Sequence, residues 1–467
     1  MEKTIINYNL PIFHSRFENK ATFNIERLKF VLELNGFRSL HINEADKEQD
    51  IRFVHINKNR AQIVNIIYIR NFITRYFELA RNGDTFDFAN AFNQKYNNAK
   101  LKEICQQLKP IELDKFQRDT QDSFYFYFKN NYVKVTENDI EILNYDKLDK
   151  YIWQRHSSGK DFKIIEGKSD FETFLERAAF NKEQTECAIG YLLHEYKNPS
   201  IPKAVVICDT GKNERKGGCG KSLIAKSLRK LRNQVEIPGG RCDLNDNFLF
   251  QDVDLDTRLI LFDDIRDNFE FDKLFTSITG NLQVKRKYLG NLNIPFKYSP
   301  KFVITTNRLI KTLNQISYKR RLYEVLLTNY YNENRTPYQE LGRLLFDDWD
   351  ENDWNKYYLY IFRCCQQYLR YGLIDIDSEE LRNKRIIEET NILFYEFAVE
   401  FISFNEEYGK KEMYQKYIEI KEHEIKRNTF TRWLKLYADL NSAEYIERRT
   451  SSISENNIVF FKIKKPA

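Results

Sequence analysis

Residues 204–222 read AVVICDTGKNERKGGCGKS, an apolar run that breaks into a polar, glycine-containing loop and then into the segment KSLIAKSLRKL. A short continuous apolar run suits a buried parallel strand, and the segment after the loop has helical spacing. Glycines let backbone N–H groups turn inward around phosphate oxygens, and a helix start adds the positive end of its dipole. On this reading Gly217, Gly218, Cys219, Gly220, Lys221, Ser222 and Leu223 cradle the phosphates of ATP. Lys221 reaches the β and γ phosphates and Ser222 holds Mg²⁺. The strict Walker A spacing asks for a glycine at position 215, where Arg215 stands; either Gly217 and Gly218 supply the turn or Gly211 opens a longer loop.

Two further strand-like runs follow at a suitable distance. RLILFDDI ends in the adjacent carboxylates Asp263 and Asp264. Hydrolysis of a triphosphate needs one acid for the metal and another to polarise water, which assigns Asp263 to Mg²⁺ and Asp264 to the water. KFVITTN ends in Asn307, whose amide is suited to orient that water and sense the γ phosphate. Strands alternating with helices predict an open α/β sheet with its ligand at the carboxyl ends of the strands.

Outward from this core the pattern divides the chain into four parts. Residues 1–175 mix helical stretches (IERLKFVLELNGF) with strand-like runs (SFYFYF, NYVKVT) and predict an α+β region of unassigned role. Residues 176–345 carry the nucleotide elements, and 346–385 form a helical, aromatic connector. Residues 386–467 read as helix, helix, helix and two strands, which is the winged-helix order. In such a module Lys426, Arg427, Arg432 and Lys435 lie on or beside the reading helix and Arg448 and Arg449 at the wing; contact with DNA and contact with protein both remain open.

Between the second and third elements, ITGNLQVKRKYLGNLNIPFKYSPKFVITTN resembles the motif of superfamily 3 helicases, in which a Lys-bearing hairpin and a Pro lead into the sensor strand. These are AAA+ P-loop ATPases of viruses, phages, plasmids and mobile elements, including the helicase portions of primase-helicases. The resemblance implies a P-loop AAA+-like core working as a homo-oligomeric ring, with a hexamer favoured. It implies that Lys287 and Tyr288, assisted by Lys285 and Arg286, contact nucleic acid in the ring channel. Cations neutralise phosphates and an aromatic ring stacks on a base, so the residue types suit the task. After the sensor strand, ISYKRRLYEVLL places Arg321, with Arg320 as its substitute, where the family's arginine reaches ATP bound by the neighbouring subunit.

The expected function is therefore an ATP-dependent DNA helicase or translocase in DNA replication, encoded by a phage, plasmid or mobile element and acting in a bacterial cytoplasm. Single-stranded DNA, duplex DNA and a primase, initiator or polymerase are the expected partners. Two rival readings are a P-loop ATPase that assembles or switches on DNA without unwinding it, as in transposition or defence, and a DNA-binding protein with a degenerate ATPase. An RNA substrate also stays open.

Composition bounds these readings. Lys and Arg number 74 against 68 Asp and Glu, a net charge of +6 that permits a nucleic-acid partner without demanding one. The seven cysteines form no C-x-x-C pair, so neither a zinc site nor a disulfide framework is expected. No apolar run has the length of a membrane span, and polar residues come too early for a secretory signal. The six histidines are scattered without the His-x-His pair of nicking initiators, and Asp84 and Asp87 of DTFDFAN are not read as a polymerase site.

Overall fold

The computed structural model describes residues 13–18, 20–42, 51–80, 86–209, 217–266, 268–287, 291–312, 316–449 and 459–465. Its centre is a five-stranded sheet of β1 (Ala204–Asp209), β2 (Gln234–Pro238), β3 (Leu259–Asp263), β4 (Lys301–Thr305) and β5 (Leu322–Leu327). The strands are all parallel in the order β2-β3-β4-β1-β5, so the fold is α/β around a parallel sheet. Both faces of such a sheet must be covered, which explains why β1 and β3 are almost continuously apolar.

Alternate residues supply the two faces. Val205, Ile207, Leu259, Leu261, Val303 and Val325 point to a core shared with helices α1 (Asp170–Ala178), α2 (Lys182–Leu193), α3 (Lys221–Ser227) and α4 (Glu351–Tyr371). Helices α2 and α4 approach closely at Gly190, where an added Cβ would stand 2.6 Å from the carbonyl oxygen of Cys364. The same core takes Phe124, Phe126, Val133 and Val135 from an antiparallel sheet of Ser123–Tyr127, Tyr132–Thr136 and Ile140–Leu143. Each fully buried side chain of this size contributes about 1.5–3 kcal/mol, so these N-terminal strands are bound firmly to the central sheet.

Ala204, Val206, Ile260, Phe262, Phe302 and Ile304 cover the opposite face. They pack with the hairpin Leu282–Val284 and Leu292–Ile294 and with Leu40, Val54, Ala61 and Trp153 of an N-terminal five-stranded mixed sheet. The far face of that sheet is closed by helices Ile25–Leu34, Ile66–Leu79, Phe88–Lys95 and Asn98–Gln106. Asp87 caps the third of these by accepting from the backbone N–H of Asn90, while Asp84 lies outside the described residues.

Beyond α4, helix α5 (Glu379–Glu389) leads into Ile392–Phe401, Lys410–Lys421 and Arg427–Leu440. Strands Glu444–Arg449 and Val459–Lys464 follow, and the short strand Glu407–Gly409 pairs with the second of them to make a three-stranded sheet. Among the described residues, no helix is long and apolar enough to cross a membrane.

A buried polar network joins the N-terminal region to the central sheet. The Arg232 guanidinium, 1% exposed, bonds Asp119 at 3.0 Å, and Arg258 lies 3.1 Å from Glu195. His156 donates from Nε2 to the Asp256 carbonyl at 2.8 Å, and His194 bonds the Thr120 carbonyl at 2.7 Å. Glu195 stands 3.4 Å from the His156 ring, but burial and the Arg258 charge outweigh it and push that imidazole down to about 3. Burial, with Lys301 nearby, does the same to His194, also to about 3. Both rings are thus neutral in the fold and take up protons near 6.5 once unfolded. At these two rings the unfolded state gains the proton first as pH falls, so their share of stability is lost from about pH 6.5 downward, while Asp119, pushed up to about 6 by burial, takes up a proton in the fold and works the other way. Each ring should remove roughly 2 kcal/mol between pH 6.5 and 5. Urea unfolding at pH 7 and pH 5 measures this, and His194→Gln should remove about half of the histidine share; an unchanged pH slope in that variant would contradict the assignment.

Candidate nucleotide site

The carboxyl ends of β1, β4 and β3 lie side by side, and Lys221, Ser222, Asp263 and Asn307 gather there. Gly217 to Gly220 precede α3, which continues into a 3-10 turn at Leu228–Lys230. Gly218 and Gly220 both have φ +96, and a Cβ on Gly220 would meet the Phe174 ring at 2.5 Å. Only glycine fits that position, because both the left-handed backbone and the ring exclude a side chain. Gly211 and Arg215 lie outside the described residues, whereas Gly217, Gly218, Cys219 and Leu223 are within them.

Lys221 is buried against the strand ends. Its Nζ donates to Asp209 Oδ2 at 2.9 Å and to Asn307 Oδ1 at 2.7 Å, and approaches Cys219 Sγ at 3.3 Å. Burial pulls its pKa down, but Cys219 and Asp209 overcome that and leave the ammonium above the ordinary lysine value. Asn307 therefore meets Lys221 directly at the carboxyl ends of β4 and β1.

Asp263 forms the second cluster. Its Oδ1 accepts from Ser222 Oγ and from Thr305 Oγ1, each at 2.7 Å, while Lys226 Nζ lies 2.8 Å from Oδ2. Burial raises this carboxyl, and the bonds from Lys226, Ser222 and Thr305 outweigh burial and hold it below the usual carboxylate range. The hydroxyl of Ser222 and the carboxylate of Asp263 thus stand together as two hard oxygen donors, the chemistry Mg²⁺ accepts. Ser222 and Asp263 are the residues that would hold such an ion. No cluster of three or more His, Cys, Asp or Glu suited to a metal occurs among the described residues. Asp264 is exposed, has φ 56, and donates its backbone N–H to Thr305 Oγ1 at 2.8 Å. Thr305 therefore orients both aspartates at once.

The hairpin cations fare differently from one another. Lys285 is exposed and bonds Asn247 at 2.9 Å, and the exposed Lys287 lies 5.3 Å from the Phe248 ring. Arg286 is taken up by the fold itself, in an ion pair with Asp254 at 3.0 Å and a bond to the Val253 carbonyl. This is a structural role that the residue type alone does not announce. Tyr288 lies outside the described residues. Arg321 ends the short helix Ile316–Arg321, with its guanidinium 4.6 Å above the Phe275 ring and a bond to the Ser317 carbonyl at 3.0 Å; Arg320 beside it is exposed.

Four residues of the site were not read from the sequence. Asp209 and Thr305 carry the second contacts of Lys221 and Asp263, Lys226 pairs with Asp263, and Lys384 of α5 reaches Asp209. The i+4 spacing from Ser222 places Lys226 on the same side of α3, a signal available in retrospect. On the C-terminal unit, Arg432 and Arg449 are exposed, while Arg448 is held by Glu407 at 2.9 Å.

No protein-family model and no curated protein sequence matches the chain. Among solved structures it is similar to the A form apo structure of the NrS-1 C terminal region, with a TM-score of 0.44 and 13% identity over 93% of this chain and 99% of that one. A second similar structure is the A form apo structure of NrS-1 C terminal region residues 305–718, with a TM-score of 0.34 and 12% identity over 73% of this chain and 96% of that one.

Proposed function

We propose that the chain is a P-loop ATPase that binds ATP with Mg²⁺ at Gly217–Leu223 and acts as a ring-forming DNA helicase or translocase in replication. The observation that carries the reading is the pair of contacts across three neighbouring parallel strands, Lys221 to Asn307 and Ser222 to Asp263. Together they set an ammonium, an amide, a hydroxyl and a carboxylate at the ends of three adjacent strands, the place where open α/β sheets take their ligands.

Each group then has a task. Lys221 turns from Asp209 and Asn307 to the β and γ phosphates, and Asn307 is left facing the γ phosphate. Ser222 and Asp263 would hold Mg²⁺, which would supply charge neutralisation on the phosphate oxygens. Asp264, exposed beside it, takes the proton side of the attacking water. The exposed Lys285 and Lys287 supply the contact with the DNA backbone, and the C-terminal unit is read as a winged helix.

Hydrolysis with and without single-stranded DNA, together with displacement of a labelled strand from a forked duplex, tests the proposal. DNA-stimulated hydrolysis with displacement is expected, and the double variant Lys285→Ala, Lys287→Ala should lose the stimulation while keeping DNA-independent turnover. Hydrolysis with no displacement on any fork would move the chain to the class of ATPases that switch or assemble on DNA.

A further inference from the structure

Lys384 of helix α5 stands 175 positions beyond Asp209 in the sequence, yet it enters the candidate nucleotide site. Lys384, 5% exposed, donates to the carbonyl of Asp209, lies 3.3 Å from Asp209 Oδ1 and 3.4 Å from the carbonyl of Asn307. Asp209 is 2% exposed and takes Lys221 on its other carboxylate oxygen at 2.9 Å. The next residue, Arg385, bonds the carboxylate of Glu324 and the carbonyl of Ile310, and Glu389 accepts from Thr312 Oγ1 at 3.1 Å. Ile386, between these, is 1% exposed in the core of the C-terminal unit. One helix is thus pinned on one side to the ends of β1 and β4 and to Glu324 within β5, and on the other to the unit that follows.

Two ammonium groups on one buried carboxylate raise a question of charge. If Lys221 leaves for a triphosphate, Asp209 gives up a partner in a site where an unpaired charge is expensive. We propose that Lys384 is a positioning residue of the nucleotide site, which stays on Asp209 while Lys221 moves and so sets how readily Lys221 is released to ATP. Lys384 need not touch the nucleotide to do this. It acts through Asp209, and through its contact with the Asn307 carbonyl it also fixes the residue on which Lys221 rests its other bond. The affinity for ATP then depends on how α5 is held.

The inference rests on the ATP-binding reading, and the two fail separately. If wild-type protein does not bind a fluorescent ATP analogue, the reading of the site falls. If it binds, a double-mutant cycle of Lys384→Met and Asp209→Asn examines Lys384. Lys384→Met should weaken binding about tenfold, the order expected for a bond to a charged group. It should raise KM for ATP with kcat within about twofold, since the contact is made before the chemistry. In the Asp209→Asn background, where Lys221 is no longer held by a charge, the same change should cost less than about twofold. Asp209→Asn alone should tighten ATP binding, a result that does not depend on how Lys384→Met folds. A purely structural Lys384 would lower the melting temperature and weaken binding equally in both backgrounds. Equal losses, an unaltered affinity in Lys384→Met, or weaker binding in Asp209→Asn would each overturn the proposal.

Discussion

Lys221→Ala is expected to lower ATP turnover by about 10²–10³-fold or more, the scale set by removing one preorganised donor from a site of developing negative charge. The structure explains why the loss should be large and specific. Lys221 is 8% exposed, its ammonium is fixed by two oxygens, and its pKa lies above the ordinary lysine value because Cys219 and Asp209 outweigh burial. It therefore stays charged over the whole working range of pH. Alanine removes that charge and leaves the Asn307 amide without its partner, at a cost of roughly 1–3 kcal/mol in stability. The melting temperature must accordingly be measured beside turnover. Lys221→Arg should rescue poorly, because a planar fork does not fit where a point charge sits between a carboxylate and an amide. Turnover of Lys221→Ala within about threefold of wild type, in a folded protein, would sink the nucleotide reading.

Much of the sheet was legible because its strands are short apolar runs that end in distinctive residues. β1, β3 and β4 each stop where a glycine loop, a pair of aspartates or an asparagine begins, and those stops bear the residues of the candidate site. Sequence spacing could not order the strands, since β4 is inserted between β3 and β1 by contacts distant along the chain. Asp209 reads as the polar end of a strand, and nothing local tells that its carboxylate is buried under two lysines. Lys384 is hidden more deeply, because a lysine within EELRNKRIIEE looks like part of a solvated helix face. Only tertiary packing turns that face inward. The strand Glu407–Gly409 is too short to leave a periodic signal at all. Arg286 carries a contact that the sequence does not announce: a cation in a basic hairpin suggests nucleic acid, and within the chain it pairs with Asp254.

Mixing two inactive variants provides the second large effect. Arg321→Ala is expected to lower turnover about 10³–10⁵-fold if the guanidinium acts as an arginine finger. Within its own chain Arg321 rests on Phe275 and the Ser317 carbonyl, and no hydrogen bond or ion pair among the described residues joins Arg320 or Arg321 to Lys221, Ser222, Asp263 or Asn307. A finger that does not serve its own site must serve a neighbour's, which head-to-tail association in a ring provides. The consequence is countable. In an equal mixture of Arg321→Ala and Lys221→Ala chains, one interface type in four combines an intact Lys221 with an intact arginine, so about a quarter of the wild-type sites should work if sites act independently. Arg320→Ala measured beside Arg321→Ala shows which of the two reaches across, because the exposed Arg320 can move without breaking a contact to Phe275. Recovery near that fraction requires shared sites; no recovery at any ratio, with both variants shown to co-assemble, rules out a finger in trans and leaves Lys221 and Asp263 to act within one chain.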